Sequence, residues 1–252
     1  MHRFFIGPEE LNKEKGKALI GGEAARHLSR VLRLQRGDSI IVADGAGNAY
    51  WSIITDIQKE RVLACLKEPV REKSEPATRV ILAQGLARGE KMDHIVQKST
   101  ELGIAEIIPL ACERAEVKLS PQKAPGKIKR WQKISRAAAE QSQRDLVPAI
   151  KELSTLEEVL SGRNEETTLS LFLWEQEKNQ GIKGVLRNNP AHEILLLVGP
   201  EGGFSRVEAE LALLKGSFPV TLGPRILRTE TASPAALTMV LYELDDLGGI
   251  YE

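Results

Sequence analysis

Glu193–Ala232 reads EILLLVGPEGGFSRVEAELALLKGSFPVTLGPRILRTETA, with two strand candidates that each end at glycine and proline. The first is the apolar run Ile194–Val198, which is typical of a strand buried on both faces of a sheet. A turn with three glycines, Gly199–Gly203, follows it directly. The second, Phe218–Leu222, ends at the bend Gly223-Pro224. Ends of this kind leave room for a flat ligand to lie against bare backbone.

A helix is predicted between the two strands, because Ser205 and Glu208 form a capping box and Glu208 suits the positive end of a helix. The arrangement indicates an open α/β sheet with a ligand cleft at the carboxyl ends of its strands. No Gly-Lys-Ser/Thr phosphate loop occurs, and the turn reads G-x-x-G-G instead of the dinucleotide G-x-G-x-x-G. A simple tight turn would need one glycine, so three glycines and the matching Gly-Pro bend favour a ligand site.

The composition sets limits on the whole chain. Its 252 residues suffice for one large or two modest domains, and 42% hydrophobic with 28% charged residues is typical of an ordinary soluble protein. The 35 basic and 35 acidic side chains cancel, so nucleic-acid affinity would have to come from local patches. No apolar run approaches the roughly 20 residues that span a bilayer, and the N-terminal sequence MHRFFIGPEE does not resemble a secretion signal.

The inventory of reactive side chains excludes several classes of site. Cys65 and Cys112 are expected to be reduced, buried and inert, which favours the cytoplasm. The four histidines show no metal-ligand spacing and the cysteines form no C-x-x-C, so no metal site is predicted. No G-x-S-x-G elbow is present, which argues against acyl transfer by an activated serine.

Residues 1–72 are predicted to form a small β-rich domain. Its strand candidates are Arg3–Ile6, Ser39–Ala43, Ala49–Ile57 and Arg61–Leu66. A helix, Glu23–Leu34, would place Ala24, Leu28, Val31 and Leu32 on one face and Arg26, Arg30 and Arg33 on the other. An arginine row is usually a solvated face, but one without intervening carboxylates is also the footprint expected for RNA phosphates.

Residues 73–252 are predicted to form an α/β domain with a parallel sheet, after a charged linker at Lys67–Thr78. The further strand candidates are Arg79–Gln84, Ala105–Leu110 and Thr168–Leu173. The helix candidates are Glu90–Leu102, Pro125–Arg144, a short helix capped by Ser154 and Glu157, and Pro234–Leu247. The last, with Ser233 as cap, is apolar around most of its circumference, so we expect it to be buried on more than one side.

Both motifs of the C-terminal stretch, VGPEGGFSRVE and LGPRILRTETA, resemble the ribosomal RNA uridine N3-methyltransferases of the RsmE family, in the knotted SPOUT superfamily. QGLARGEKMDHIVQKSTELG, ERAEV, AAEQSQRDLVP and LFLWE fit the same family, and HLSRVLRLQRGDSIIVADGAG is similar to its PUA-like domain. The resemblance implies a SPOUT-type parallel sheet with a C-terminal trefoil knot, preceded by a PUA-like β-barrel. It also implies a homodimer joined through the knotted domain, in agreement with the cytoplasmic location and the lack of metal and membrane attachment expected from the composition.

The activity implied by the resemblance is methylation of N3 of a specific uridine in 16S ribosomal RNA, in the decoding region of the small subunit. S-adenosylmethionine would be the methyl donor. The cofactor-binding residues implied are Leu173, Trp174, Glu175, Gly199, Pro200, Glu201, Gly202, Gly203, Leu222, Gly223, Arg225, Ile226, Leu227 and Arg228. The RNA-binding residues implied are Arg26, Arg30, Arg33, Arg88, Lys91, Gln97, Lys98, Arg114, Gln141 and Arg144. Taken singly, Gln97 and Lys98 would be ordinary helix surface, and Gln141 and Arg144 would lie at a frayed helix end before Pro148.

The chemistry assigns three catalytic candidates. Uracil N3 carries a proton at neutral pH, and Arg228 is suited to stabilise the anion formed when that proton leaves. Glu230 or Glu201 would accept the proton if burial raised its pKa. For Glu230, a helix-terminus charge or an ion pair with Arg228 is an equally good interpretation. Two alternatives stay open: a non-catalytic RNA-binding protein, and an enzyme of the same superfamily acting on another RNA such as transfer RNA.

Overall fold

A computed structural model describes residues 2–71 and 74–249. The chain divides into two compact units: residues 1–75 with 139–147, and residues 76–138 with 148–252. The predicted boundary between residues 72 and 73 falls on residues outside the described ranges, and the assignment of domains 1–72 and 73–252 stays a prediction.

The first unit contains a six-stranded, mostly antiparallel sheet. Its strands are β1 (Arg3–Phe5), β2 (Leu11–Asn12), β3 (Lys17–Gly21), β4 (Ser39–Ala43), β5 (Ala49–Gln58) and β6 (Arg61–Pro69). They are ordered β1-β4-β5-β6-β3-β2, and β1 pairs with β4 in parallel. Four of these strands are predicted by the sequence, whereas β2 and β3 are missed because their segments lack a clear alternating pattern.

The predicted helix Glu23–Leu34 is wrong in its second half. Helix α1 covers only Gly22–Arg26, and a single π-helical turn follows at His27–Val31. The backbone N–H of Leu32 donates to the carbonyl of His27, five residues back, which rotates the side chains out of the α-helical register. Val31, expected in the core, is therefore 67% exposed, while Leu28 stays buried.

The second unit contains a six-stranded sheet whose strands are all parallel, which confirms the predicted sheet type. Its strands are β7 (Arg79–Gly85), β8 (Glu106–Leu110), β9 (Ala149–Ile150), β10 (Thr168–Leu173), β11 (Glu193–Val198) and β12 (Phe218–Val220). The order is β12-β10-β11-β7-β8-β9. Residues Ile194–Val198 of β11 are all buried, as expected for a strand covered on both faces.

Six helices complete the description of residues 76–249: α2 (Lys91–Glu101), α3 (Ala124–Gln141), α4 (Leu156–Gly162), α5 (Ile182–Asn188), α6 (Arg206–Leu214) and α7 (Thr229–Glu243). The last three residues of α3 belong to the first unit. The capping box of Ser205 and Glu208 before α6 is confirmed. That before α4 uses Thr155 and Glu158, one residue later than predicted. Helix α5 is missed.

The predicted start of the final helix at Pro234 is wrong. Helix α7 begins at Thr229, with Arg228 as its N-cap, and contains Pro234 in its interior. Ser233 is not a cap; it is buried, and its hydroxyl donates to the side-chain carbonyl of Gln84. Pro234 therefore lies in the second turn of α7, one residue after a serine that ties the helix to the end of β7.

Candidate active site

A cavity of about 900 Å³ lies where β10, β11 and β12 reach their carboxyl ends, as expected for an open parallel sheet. Its wall includes the ends of these strands at Leu173, Val198 and Val220, and the first turn of α7. The loop from Thr221 to Arg228 forms much of one side. The predicted ligand cleft is thus present as a cavity in the second unit.

Nearly all the residues predicted to bind a cofactor meet at this cavity. Those that line it are Leu173, Trp174, Glu175, Gly199, Pro200, Glu201, Gly203, Leu222, Gly223, Arg225, Ile226, Leu227 and Arg228. Gly202 is the exception. A Cβ at Gly202 would lie 2.9 Å from the backbone oxygen of Arg114, so this glycine permits a close approach of two loops. A larger residue there would test that loop contact instead of the cavity.

Gly203 is the glycine of this turn that faces the cavity. Its φ of +66° lies in the left-handed region, which residues with a side chain avoid. A Cβ at this position would lie 3.6 Å from the carboxylate of Glu175, another residue of the wall. The turn therefore depends on glycine for its backbone conformation, and a side chain would enter the space beside Glu175.

The Gly199–Gly203 turn also packs closely against the end of β7, a contact that is not predicted from the sequence. A Cβ at Gly85, the last residue of β7, would meet the ring of Pro200 at 2.5 Å and the carbonyl carbon of Gly199 at 2.9 Å. Gly85 therefore lets the ends of β7 and β11 lie against each other. A strand that ends in glycine is the only sequence signal for this contact.

A buried polar network, also missed from sequence, joins three segments beneath the cavity. The amide of Gln84 donates to the hydroxyl of Thr229 at 2.9 Å and to the carbonyl of Gly85 at 2.9 Å. Thr229 donates to the carbonyl of Gly199 at 2.7 Å, and Ser233 donates to Gln84. Gln84 and Ser233 are both completely buried. Because unpaired buried polar groups are costly, the network fixes the start of α7 relative to the Gly199 turn.

A cluster of charges lies at one edge of the cavity. Lys91 Nζ lies 2.9 Å from Glu201 and 3.5 Å from Glu230, and Lys91 and Glu201 both line the cavity. The backbone N–H of Arg88 also donates to Glu201 at 3.0 Å. Glu230 is not part of the cavity wall; its buried Oε2 is the atom 3.5 Å from Lys91 Nζ, and no other donor of residues 2–71 and 74–249 bonds to it.

This cluster keeps Glu201 and Lys91 ionised. Burial alone would raise the pKa of Glu201, but the hydrogen bonds from Lys91 and the Arg88 backbone hold that pKa below its ordinary value. The hydrogen bond with Glu201 in turn raises the pKa of Lys91. A carboxylate with a lowered pKa is a weak proton acceptor at neutral pH, so the condition under which Glu201 would act as a base is not met.

Arg228 and Arg225 also line the cavity, in the loop that precedes α7. Both side chains are exposed, and neither forms an ion pair with any residue of the described ranges. The anticipated ion pair between Arg228 and Glu230 is absent from the described contacts; Glu230 pairs with Lys91. The Arg228 guanidinium is thus available to a bound anion.

The predicted RNA-binding residues lie in several places. Arg26, Arg30 and Arg33 are exposed in the first unit, with one distant ion pair, 3.9 Å, between Arg26 and Glu60. In the second unit, Arg88 pairs with Glu116 at 3.4 Å and Lys98 with Glu101 at 2.8 Å. Lys91 lies at the cavity edge, and Gln97 and Arg114 are exposed. Gln141, at the end of α3, is also exposed.

Arg144 is placed differently from the other RNA-binding candidates. Arg144 is 3% exposed, and its side chain pairs with Glu75. Burial alone would raise the pKa of Glu75, but the hydrogen bonds from Arg144 and from two backbone N–H groups hold that pKa below its ordinary value. Arg144 and Glu75 lie in the same unit. Its guanidinium therefore faces a carboxylate of its own chain in this structure.

Other reactive groups are sparse. Both cysteines are free, Cys65 half-buried and Cys112 buried, and burial raises the pKa of the Cys112 thiol to about 12. A thiol with so high a pKa is unreactive at neutral pH.

Among the described residues, no group of His, Cys, Asp and Glu could hold a metal ion. No described helix is both long and apolar enough to cross a membrane.

Comparison with known proteins identifies two domain families in the chain. Residues 73–241 match the model of the RNA methyltransferase domain, and residues 20–64 match the RNA methyltransferase PUA domain. The ribosomal RNA small subunit methyltransferase E of Bacillus subtilis is 34% identical over 255 residues, which cover 99% of each chain.

Two solved structures show how far the similarity extends. The ribosomal RNA small subunit methyltransferase E of Neisseria gonorrhoeae, bound to S-adenosylmethionine, has 33% sequence identity and a TM-score of 0.87, covering 96% of this chain and 97% of that one. A Legionella pneumophila protein in complex with S-adenosylmethionine has 30% identity and a TM-score of 0.84, covering 95% and 96%. Both comparisons span the two units of the fold.

Proposed function

This chain belongs to the ribosomal RNA small subunit methyltransferase E family and is an S-adenosylmethionine-dependent RNA methyltransferase; we propose that its target is N3 of a uridine in small-subunit ribosomal RNA. The observation that carries the proposal is the cavity at the carboxyl ends of β10, β11 and β12, whose wall contains both the Gly203 turn and Arg228. A ligand held there lies beside an unpaired cation, as the chemistry of an anionic acceptor requires.

The cavity wall fits S-adenosylmethionine in size and chemistry. Leu173, Leu222 and Leu227 provide apolar surface for a flat base, and the left-handed backbone at Gly203 and Gly223 leaves the wall open for close approach. Carboxylates at Glu175 and Glu177 complement a positive charge, and Lys178 and Arg225 complement a carboxylate. When bound, S-adenosylmethionine supplies a methyl group on a positively charged sulfur, so no metal is needed to activate it.

We assign to Arg228 the stabilisation of the uracil anion. Loss of the N3 proton places negative charge on the ring, and the unpaired guanidinium of Arg228 would stabilise that charge directly. As N-cap of α7, Arg228 immediately precedes Thr229, which the buried network holds through Gln84 and Gly199. The network therefore acts as a positioning device for the catalytic arginine.

We assign the acceptance of the N3 proton to Glu230. Glu201 is less suitable because Lys91 and the Arg88 backbone hold its pKa below the ordinary value. Glu230 has a looser ion pair with Lys91: its buried Oε2 lies 3.5 Å from Lys91 Nζ, against 2.9 Å for Glu201, and no other donor among the described residues bonds to that oxygen. In this proposal Lys91 and Glu201 stay paired as a structural ion pair at the cavity edge, and Glu230 accepts the proton from uracil N3.

RNA recognition is proposed to involve the first unit as well. Arg26, Arg30 and Arg33 are exposed around the π-helical turn, within the part of the chain that matches the PUA domain. Their charges would contact phosphates, which position an RNA without reading its sequence. In the second unit, the exposed residues Arg88, Gln97 and Arg114 would also contact the substrate.

A trefoil knot, a homodimer and a cytoplasmic location complete the proposal. The parallel sheet and the family assignment support the knot. Exposed apolar side chains on α7, Met239 at 37% and Tyr242 at 65%, support a second copy of the chain as partner of this helix. Val240 and Leu241 are completely buried within the chain, so neither can face a partner.

The alternatives differ in what they predict for methyl transfer. The purified chain should transfer labelled methyl groups from S-adenosylmethionine to isolated small ribosomal subunits, and not to transfer RNA. A non-catalytic RNA-binding protein would transfer none. A related enzyme with another target would label transfer RNA in preference to small subunits.

A further inference from the structure

The solvent-facing side of α3 carries a concentration of positive charge that the site described above does not use. Between Glu116 and Glu140 the chain has seven basic residues and no acidic one, although its total charge is zero. Six of the seven lie on or just before the exposed side of α3, here called the basic face of α3: Lys123, Lys127, Lys129, Arg130, Lys133 and Arg136.

Most of this charge is not neutralised by the protein itself. Lys123, Lys127, Lys129 and Lys133 are exposed, and none forms an ion pair with a residue of ranges 2–71 and 74–249. Arg130 is different, since it pairs with Asp93. Four lysines are thus available to an external anion over a helix length of about three turns.

Folding gives no reason for these charges. The first turn of α3 has no acidic residue, and Lys127 lies near the positive end of the helix dipole, where a cation is unfavourable. Lys129 and Lys133 are four residues apart and repel each other. The helix is held from its other side by the buried residues Trp131 and Ser135. Charge that weakens a helix without contributing to its packing indicates a binding role.

The basic face of α3 is joined to the edge of the cavity through one carboxylate. Asp93 in α2 pairs with Arg130 and accepts a hydrogen bond of 3.0 Å from the indole N–H of Trp131. Two residues before Asp93, Lys91 lines the cavity. Asp93 thus links the basic face of α3 to helix α2, whose first residue, Lys91, lines the cavity, and both helices contribute these residues within the second unit.

We propose that the basic face of α3 binds the sugar–phosphate backbone of the RNA substrate beside the nucleotide that enters the cavity, an inference that rests on the proposed function. RNA is favoured over an acidic protein because its phosphates repeat at regular intervals along one strand. Lysines bind such phosphates as point charges without selecting a base. The surface would add affinity and would leave the choice of nucleotide to the cavity.

The test compares two triple variants of the full-length protein. In the first, Lys127→Gln, Lys129→Gln and Lys133→Gln remove charge from the basic face of α3. In the control, Lys15→Gln, Lys67→Gln and Lys183→Gln remove the same charge from exposed lysines elsewhere. The α3 variant should raise the KM for small ribosomal subunits at least tenfold and lower the salt slope of binding by about 2 to 3, since each phosphate contact contributes about 0.7–0.9.

Three further measurements distinguish a lost phosphate contact from a damaged fold or cofactor site. Affinity for S-adenosylmethionine and the melting temperature should not fall in the α3 variant, and a Lys→Arg triple variant at the same positions should retain RNA affinity. An α3 variant with the KM and salt slope of the control would overturn the inference while leaving the proposed function intact. Failure of the wild-type protein to methylate small subunits would instead overturn the proposed function.

Discussion

The hydroxyl of Thr229 donates a hydrogen bond of 2.7 Å to the backbone carbonyl of Gly199. This bond connects the first residue of α7 with the first residue of the turn after β11, and both residues line the cavity. Gln84 donates to the same hydroxyl from the end of β7. Three elements that are distant in sequence thus depend on one buried oxygen atom, next to the arginine that we place in the reaction.

Thr229→Val is predicted to loosen the site. The substitution keeps the shape of the side chain but leaves the Gln84 amide and the Gly199 carbonyl short of partners, which costs about 1–3 kcal/mol. We expect a lower melting temperature and a kcat reduced more than the affinity for S-adenosylmethionine, because the position of Arg228 is disturbed. Thr229→Ser, which retains the hydroxyl, is the control. Equal kcat values for the valine and serine variants would contradict the positioning role.

Gly203→Ala is predicted to weaken cofactor binding at least tenfold. Alanine at a φ of +66° is strained by about 1–2 kcal/mol, and its Cβ would lie in the space beside Glu175. Calorimetric titration with S-adenosylmethionine measures the effect. Gly162→Ala is the matched control, because that glycine has open space around it. Wild-type affinity in the Gly203 variant would show that this turn does not contact the cofactor.

The two carboxylates beside Lys91 are predicted to respond differently to neutralisation. Glu230→Gln should lower kcat by about 10² to 10⁴, the usual contribution of a general base. Glu201→Gln should lower kcat less than about tenfold, because a carboxyl with a lowered pKa is a weak base at neutral pH. Single-turnover rates at saturating cofactor across the pH range distinguish the two. A loss in the Glu201 variant as large as in the Glu230 variant would reverse the assignment.

Tyr242→Glu is predicted to convert a dimer into a folded monomer. Tyr242 is 65% exposed on α7, so glutamate there is harmless within one chain, whereas an unpaired carboxylate in an apolar interface is costly. Sedimentation measures the outcome. Val207→Glu, at a 72% exposed position on α6, should leave the dimer intact. A Tyr242→Glu protein that sediments like the wild type would remove α7 from the interface.

The sequence predicts those parts of the fold that depend on neighbouring residues. The apolar run of β11 and the capping box of Ser205 and Glu208 each involve neighbouring residues, and both predictions are confirmed. The residues predicted for cofactor binding also cluster as expected, apart from Gly202. Their grouping follows from parallel strands that end at the same edge of the sheet.

Long-range contacts explain what the sequence does not predict. Gln84 and Thr229 are 145 positions apart, so the network that starts α7 before Pro234 leaves no local pattern. The partner of Arg144, Glu75, is 69 positions away, so neither an RNA-binding role nor a frayed helix end for Arg144 could anticipate the ion pair. The π-helical turn at His27–Val31 replaces an amphipathic helix whose periodicity looks regular, because hydrogen-bond register is not encoded by hydrophobicity alone.

The central claim is that this chain methylates N3 of a uridine in small-subunit ribosomal RNA, with Arg228 stabilising the anion. Mass spectrometry of nucleosides from the small-subunit RNA of a strain that lacks the protein tests it most directly. N3-methyluridine should be missing from that RNA, return with the wild-type protein, and stay missing with Arg228→Ala, which should still bind S-adenosylmethionine. An unchanged amount of N3-methyluridine in the deletion strain would contradict the claim, and its full return with Arg228→Ala would remove Arg228 from the mechanism.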